Sequence, residues 1–100
     1  MNHFPEIRHT LAAVFAVDIG LSEVARRECL ERLLQSAEWK RAFELELREA
    51  FAHTDTCWSK LLFNDRYEVV EADSETEARA RAADMLWEPT FPGEPIPEQS

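Results

Sequence analysis

SAEWKRAFELELREAFA, residues 36–52, is the stretch on which the fold turns. Trp39, Phe43, Leu47 and Phe51 recur at every fourth position, with Ala42 and Ala50 beside them. That spacing stacks three rings and a leucine down one side of a helix, an apolar stripe only a core can use. The other side carries Glu38, Arg41, Glu44 and Arg48, spaced as i,i+3 and i,i+4 pairs of opposite charge that suit an exposed face. Ser36 stands where its hydroxyl can accept from the first free backbone N–H groups. The segment predicts a central amphipathic helix in a mainly helical protein.

Upstream, Pro5 suits a first helical turn, and Phe4, Ile7, Leu11, Val14 and Phe15 follow at helical spacing. Asp18-Ile19-Gly20 is expected to end that helix, with Gly20 in the left-handed conformation that glycine adopts most readily. Ser22 then reads as an N-cap with Glu23 in the first turn, where negative charge is favoured. Val24, Leu30, Leu33, Leu34 and Ala37 are expected to face inward, while Glu23–Arg27 and Glu28–Arg32 pair outward. A tight turn near Gln35-Ser36 is expected to separate this helix from the central one, the alternative being a single bent helix.

Downstream, two readings compete over residues 53–74, HTDTCWSKLLFNDRYEVVEADS. Asp55 could cap a short helix reaching Phe63. Alternatively, residues 58–63 and 66–71 form a small β-hairpin around Asn64-Asp65, with residues 67–70 as its clearest strand. The consecutive Leu61, Leu62 and Phe63 spoil clean alternation. Ser74-Glu75-Thr76-Glu77 is then a capping box. It opens a last helix with Ala78, Ala82, Met85 and Leu86 on one apolar flank and Ala80, Ala83 and Trp87 on another. Glu75–Arg79 and Glu77–Arg81 are spaced to pair along it. Pro89, Pro92, Gly93, Pro95 and Pro97 argue against regular structure beyond. The division expected is therefore one compact helical domain over residues 1–88 and a Pro-rich tail over 89–100. Trp87 and Phe91 would pin the start of that tail and leave its end mobile.

One hundred residues suffice to bury roughly 65% of the unfolded surface, so no metal or disulfide staple is required. No apolar run approaches the ~20 residues of a membrane span. MNHFPEIRH has no basic segment leading into an apolar one, which argues against a secretory signal. Cys29 and Cys57 fall outside any C-x-x-C spacing and fit a reduced cytosolic protein.

Signatures of chemistry are weak. His53 and Cys57 are four apart, a spacing that could join two metal ligands, with His3, His9 or Cys29 as further donors. Zinc sites normally show tighter paired signatures. A Cys–His nucleophile needs an orienting group and an oxyanion site, often glycine-rich, and the chain holds two glycines. Neither GxxxxGK[ST] nor GxGxxG occurs, so phosphate cradling is unsupported. Basic residues cluster no further than Arg26-Arg27 and Lys40-Arg41, which argues against nucleic acid as a direct partner. The expectation is a protein without catalysis, cofactor or metal.

Charge is the informative feature. Eleven basic and 20 acidic residues give −9, a balance that repels nucleic acid and anionic membranes and attracts basic proteins. Residues 68–100 hold nine acids and two arginines, and EVVEADSETE, residues 68–77, has five acids and no base. The bland reading is a solubilising face. The functional reading is a patch for a basic partner, made of Asp65, Glu68, Glu71, Asp73, Glu75, Glu77 and Asp84. Trp58, Tyr67 and Trp87 flank the stretch as candidate anchors, with core packing as the alternative and the simpler reading for Trp87.

Three segments resemble the small immunity proteins of bacterial contact-dependent growth inhibition systems. They are FAVDIG at 15–20, EWKRAFELELREAF at 38–51 and EARARAADMLWEPTFPGE at 77–94. The resemblance implies a protein of the bacterial cytoplasm that binds the toxin domain, often a nuclease, of a cognate secreted effector. It assigns no binding residues by position. A nuclease site is lined with Lys and Arg to hold phosphates, so an acidic protein can occupy it as a competing polyanion. The alternative is an adaptor or regulatory domain binding some other basic protein.

Overall fold

Phe43, Leu47, Ala50 and Phe51 are fully buried in a computed structural model that describes residues 4–97. They lie on α3 (Ala37–Ala52), and Trp39, half-buried, stacks on Phe43 with ring centroids 4.6 Å apart. Glu38, Arg41 and Arg48 are exposed on the other side, as the period requires. Around α3 stand α1 (Pro5–Thr10), α2 (Glu23–Leu33), α4 (Trp58–Leu62), α5 (Glu75–Ala82) and α6 (Glu88–Thr90). The Cα radius of gyration is 12.6 Å, close to the ~13 Å of a single 100-residue domain. The fold is mainly α.

α1 packs on α3 and continues into a π-helical turn, Leu11–Phe15. Ile7, Leu11, Val14 and Phe15 are buried along it. The helix stops earlier than Asp18: Ala16 is extended (ψ 140°), and Val17–Ile19 form a separate 3-10 turn ending on Gly20 at φ 73°. The N-cap of α1, Phe4, supplies no side-chain cap, and its φ of 59° is unusual for a bulky residue. Glu46 of α3 caps this helix instead, accepting from Glu6 N at 3.1 Å and Ile7 N at 3.0 Å.

Ser22 caps α2 as expected, its Oγ accepting from Ala25 N at 3.2 Å. Ser36 occupies the N-cap of α3 but makes no side-chain cap bond. The chain turns at residues 34–36 between the two helices. The inward face of α2 is as expected at Leu30 and Leu34 and is corrected at Val24, Leu33 and Ala37. Leu30 is buried with Arg26, Cys29 and Leu34 half-buried around it, while Val24, Leu33 and Ala37 are exposed. Val24 precedes Leu30 by six residues, which at ~100° per residue carries it off the buried side. Outside, Arg27 meets Glu31 at 3.9 Å.

The hairpin does not form. Trp58, Leu61 and Leu62, buried at i, i+3 and i+4, belong to α4. Asp55 does not cap it; Cys57 holds the N-cap position without a side-chain bond. Asn64 ends the helix by donating from Nδ2 to Lys60 O at 2.8 Å, and its Oδ1 accepts from Arg66 N and Tyr67 N. This Asx-type turn leaves a single isolated antiparallel bridge, Phe63 to Glu68, and residues 67–70 form no strand. Their β-like alternation survives as burial, with Tyr67 and Val69 in and Glu68 out.

The capping box at α5 is present with one change. Ser74 Oγ accepts from Glu77 N at 3.1 Å, but Glu77 Oε2 takes Asp73 N, also at 3.1 Å, rather than the Ser74 donor. Arg81 pairs with Glu77 at 3.5 Å. Glu75 and Arg79 do not pair with each other. Glu75 caps α4, accepting from Trp58 N and from Ser59 N at 3.2 Å. Arg79 Nη2 donates to Phe51 O at 2.9 Å, one of the last carbonyls of α3, and to Pro97 O at 2.7 Å.

Helical backbone runs past position 88 to Thr90, through a π turn at Ala83–Trp87. Glu88 N donates to Ala83 O across that turn, five residues back. The wider turn accommodates Pro89, whose ring would clash with a carbonyl four residues back in a regular helix. Beyond it, the chain up to Pro97 lies on the body. Trp87 Nε1 donates to Glu94 O at 2.8 Å, and Arg48 stands 4.3 Å over the Phe91 ring and 3.3 Å from Glu94. Phe51, Trp58, Trp87 and Phe91 form one aromatic cluster: Phe51 lies 4.5 Å from Trp58 and 5.4 Å from Trp87, and Trp87 lies 4.3 Å from Phe91, between ring centroids. Such pairs add ~0.5–1.5 kcal/mol each beyond their buried area. The expected mobility of the tail's end concerns residues outside those described.

Candidate functional site

The acidic stretch begins where α4 ends. Tyr67 and Val69 anchor the extended chain inward, and Val70 and Ala72 are half-buried. This near-alternation turns Glu68, Glu71 and Asp73 outward, and all three are exposed. Among the described residues none of their carboxylates joins an ion pair. Backbone bonds hold the segment in place: Val69 N and Val70 N donate to Leu62 O, and Glu68 O accepts from Val17 N at 2.7 Å. The charges therefore sit on packed structure.

The other acids expected at this surface divide. Glu75 is engaged at the N-terminus of α4, and Glu77 is held between Asp73 N and Arg81. Asp65, exposed at the bend, lines a groove with Arg8, His9 and Arg66. Asp84 is exposed on the later π turn and lines another groove with Glu23, Arg26 and Arg27. Glu68, Glu71 and Asp73 thus remain as the unpaired core of the patch, and Asp65 and Asp84 each face basic side chains.

The aromatic anchors are corrected. Trp58, Tyr67 and Trp87 are all buried in the core and present no ring to a partner. Other apolar side chains reach water on this part of the chain's surface, two of them at Glu68. Val17 is 49% exposed, Ile19 48% and Phe63 40%. Val17 meets Glu68 through the backbone bond just described, and Phe63 faces Glu68 across the isolated bridge. No sequence pattern points to this grouping, because residue 17 reaches the turn that joins 63 and 68 only through the tertiary fold.

The groups weighed for chemistry are dispersed. His53 ends α3 and Cys57 precedes α4, with a turn between them, so they share no helical face. Cys57 Sγ lies 3.4 Å from Ser59 Oγ. Cys29, half-buried, and His9 line a common groove of about 790 Å³ with Glu6, Arg32 and Trp39, and no hydrogen bond joins the thiol to the imidazole. Among the described residues no group of three or more His, Cys, Asp or Glu could hold a metal ion, and His3 lies outside them. No described helix is long and apolar enough to cross a membrane. Comparison with protein families, characterised proteins and solved structures finds no significant match.

Proposed function

We propose that this chain is an immunity protein of a contact-dependent growth inhibition system. In this reading it works in the bacterial cytoplasm, without catalysis, and neutralises the toxin domain of its cognate effector by binding it. The toxin domain is basic, most simply a nuclease, and the acidic face around Glu68, Glu71 and Asp73 is what it meets. The supporting observation is that these carboxylates are exposed, unpaired and fixed on packed backbone in a chain of net charge −9. A fixed cluster of like charge raises encounter rates with an oppositely charged protein above the roughly 10⁵–10⁶ M⁻¹s⁻¹ of neutral pairs. It also competes directly for the Lys and Arg groups that would otherwise hold phosphate.

The test looks beside this chain's gene for one encoding a large secreted effector and co-expresses the C-terminal domain of that effector with this chain. Growth should be restored, and His53→Ala with Cys57→Ser should restore it equally, since binding alone is required. Continued toxicity with soluble wild-type protein present would refute the proposal. Loss of protection in the folded double variant would bring a thiol or metal chemistry forward instead.

A further inference from the structure

Large apolar side chains scattered singly over a surface need no explanation. Val17 and Phe63 are not scattered. Val17 and Phe63 approach Glu68 from two separate segments of chain, one by a hydrogen bond and one by the bridge. Ile19 extends the same group from the 3-10 turn that Val17 opens. Residues opposite each other in an antiparallel bridge project to one face, so Phe63 and Glu68 stand side by side toward solvent. Folding leaves these side chains between 40 and 49% exposed, with Val17 and Phe63 both held against Glu68.

We infer that Val17, Ile19 and Phe63 are the short-range anchor of this face, seating in an apolar recess rimmed by Lys and Arg on the toxin domain. The inference rests on the proposed function and adds a division of labour to it. Exposed carboxylates accelerate encounter but are worth little once solvated, whereas desolvated apolar contacts at the centre of an interface set the lifetime of the complex. The charge pattern selects the occupant. A second copy of this chain would bring the same acids face to face, and an anionic membrane or nucleic acid would be repelled likewise. A cationic rim around an apolar recess satisfies both parts.

The test measures binding kinetics between the full chain and the catalytically inactivated C-terminal domain of the cognate effector. Ile19→Ser and Phe63→Ser lie on different segments, so local misfolding in one leaves the other informative. Each should speed dissociation about tenfold or more, with association and its salt dependence unchanged. Leu45→Ser, at a residue 63% exposed on α3, should change neither rate. Wild-type dissociation in both folded variants overturns the inference while the acidic reading stands. Failure of the wild-type chain to bind that domain overturns the proposed function and the inference with it. Self-association of the wild type, lost in Ile19→Ser, would make a second copy the occupant and also overturn it.

Discussion

The Glu46 carboxylate takes the two N–H groups at the start of α1, a task that no local pattern announces, since its partners lie 39 and 40 residues away. Burial pushes this carboxyl above its ordinary value. Hydrogen bonds from Ile7 and Glu6 pull it down, and the neighbouring Glu6 and Glu49 carboxylates add to the rise. A carboxyl whose folded value is raised binds its proton more tightly in the folded state. Its contribution is therefore complete below the unfolded value and is lost as pH rises through the folded one. Glu46→Gln should gain stability relative to the wild type as pH rises through that window just above the ordinary glutamate range. Chemical denaturation of both proteins across that range checks it, and a constant difference would contradict the assignment. Phe43 and Leu47, fully buried, were legible from period alone. Either one changed to Ala should cost about 2–5 kcal/mol in equilibrium unfolding, and wild-type stability in both variants would mean the stripe is not the core.

At the scale of elements, local signals worked where a helix could be specified by its own residues. The periods of α1 and α3 and the caps Ser22 and Ser74 needed only neighbours within four positions. The segment after α3 was legible only as two competing readings, of which the short helix reaching Phe63 holds and the hairpin does not. α4 has only five residues, and its N-terminus is satisfied from α5 by Glu75. Neither the hairpin reading nor a cap at Asp55 could foresee a partner 16 or 17 residues on. Pro89 marked the end of regular structure too early because the π turn before it makes room for the ring. Glu75→Ala should cost about 1 kcal/mol, as loss of an N-cap does, while the box formed by Ser74 and Glu77 keeps α5 in place. Hydrogen exchange at Trp58 and Ser59 should quicken more than exchange within α5. Unchanged protection at those two amides would show that α4 is capped by another group.

For the whole molecule, the single mainly helical domain and the excess of acid were legible from composition and period. The surface was legible only in part. Alternation over residues 67–73 turns Glu68, Glu71 and Asp73 outward, but packing withdrew the aromatic anchors into the core and set Val17, Ile19 and Phe63 in their place. Side chains that are apolar and exposed leave no mark in a sequence, because the same residue types fill the core. The central claim is that Glu68, Glu71 and Asp73 guide a basic toxin domain onto this face. It is tested most directly by association kinetics of Glu68→Lys, Glu71→Lys, Asp73→Lys with the toxin domain of the cognate effector, measured across ionic strength. The triple variant leaves the caps of α4 and α5 intact. It should associate more slowly and lose much of the salt dependence of the wild type. A folded triple variant with the affinity and salt dependence of the wild type would contradict the account.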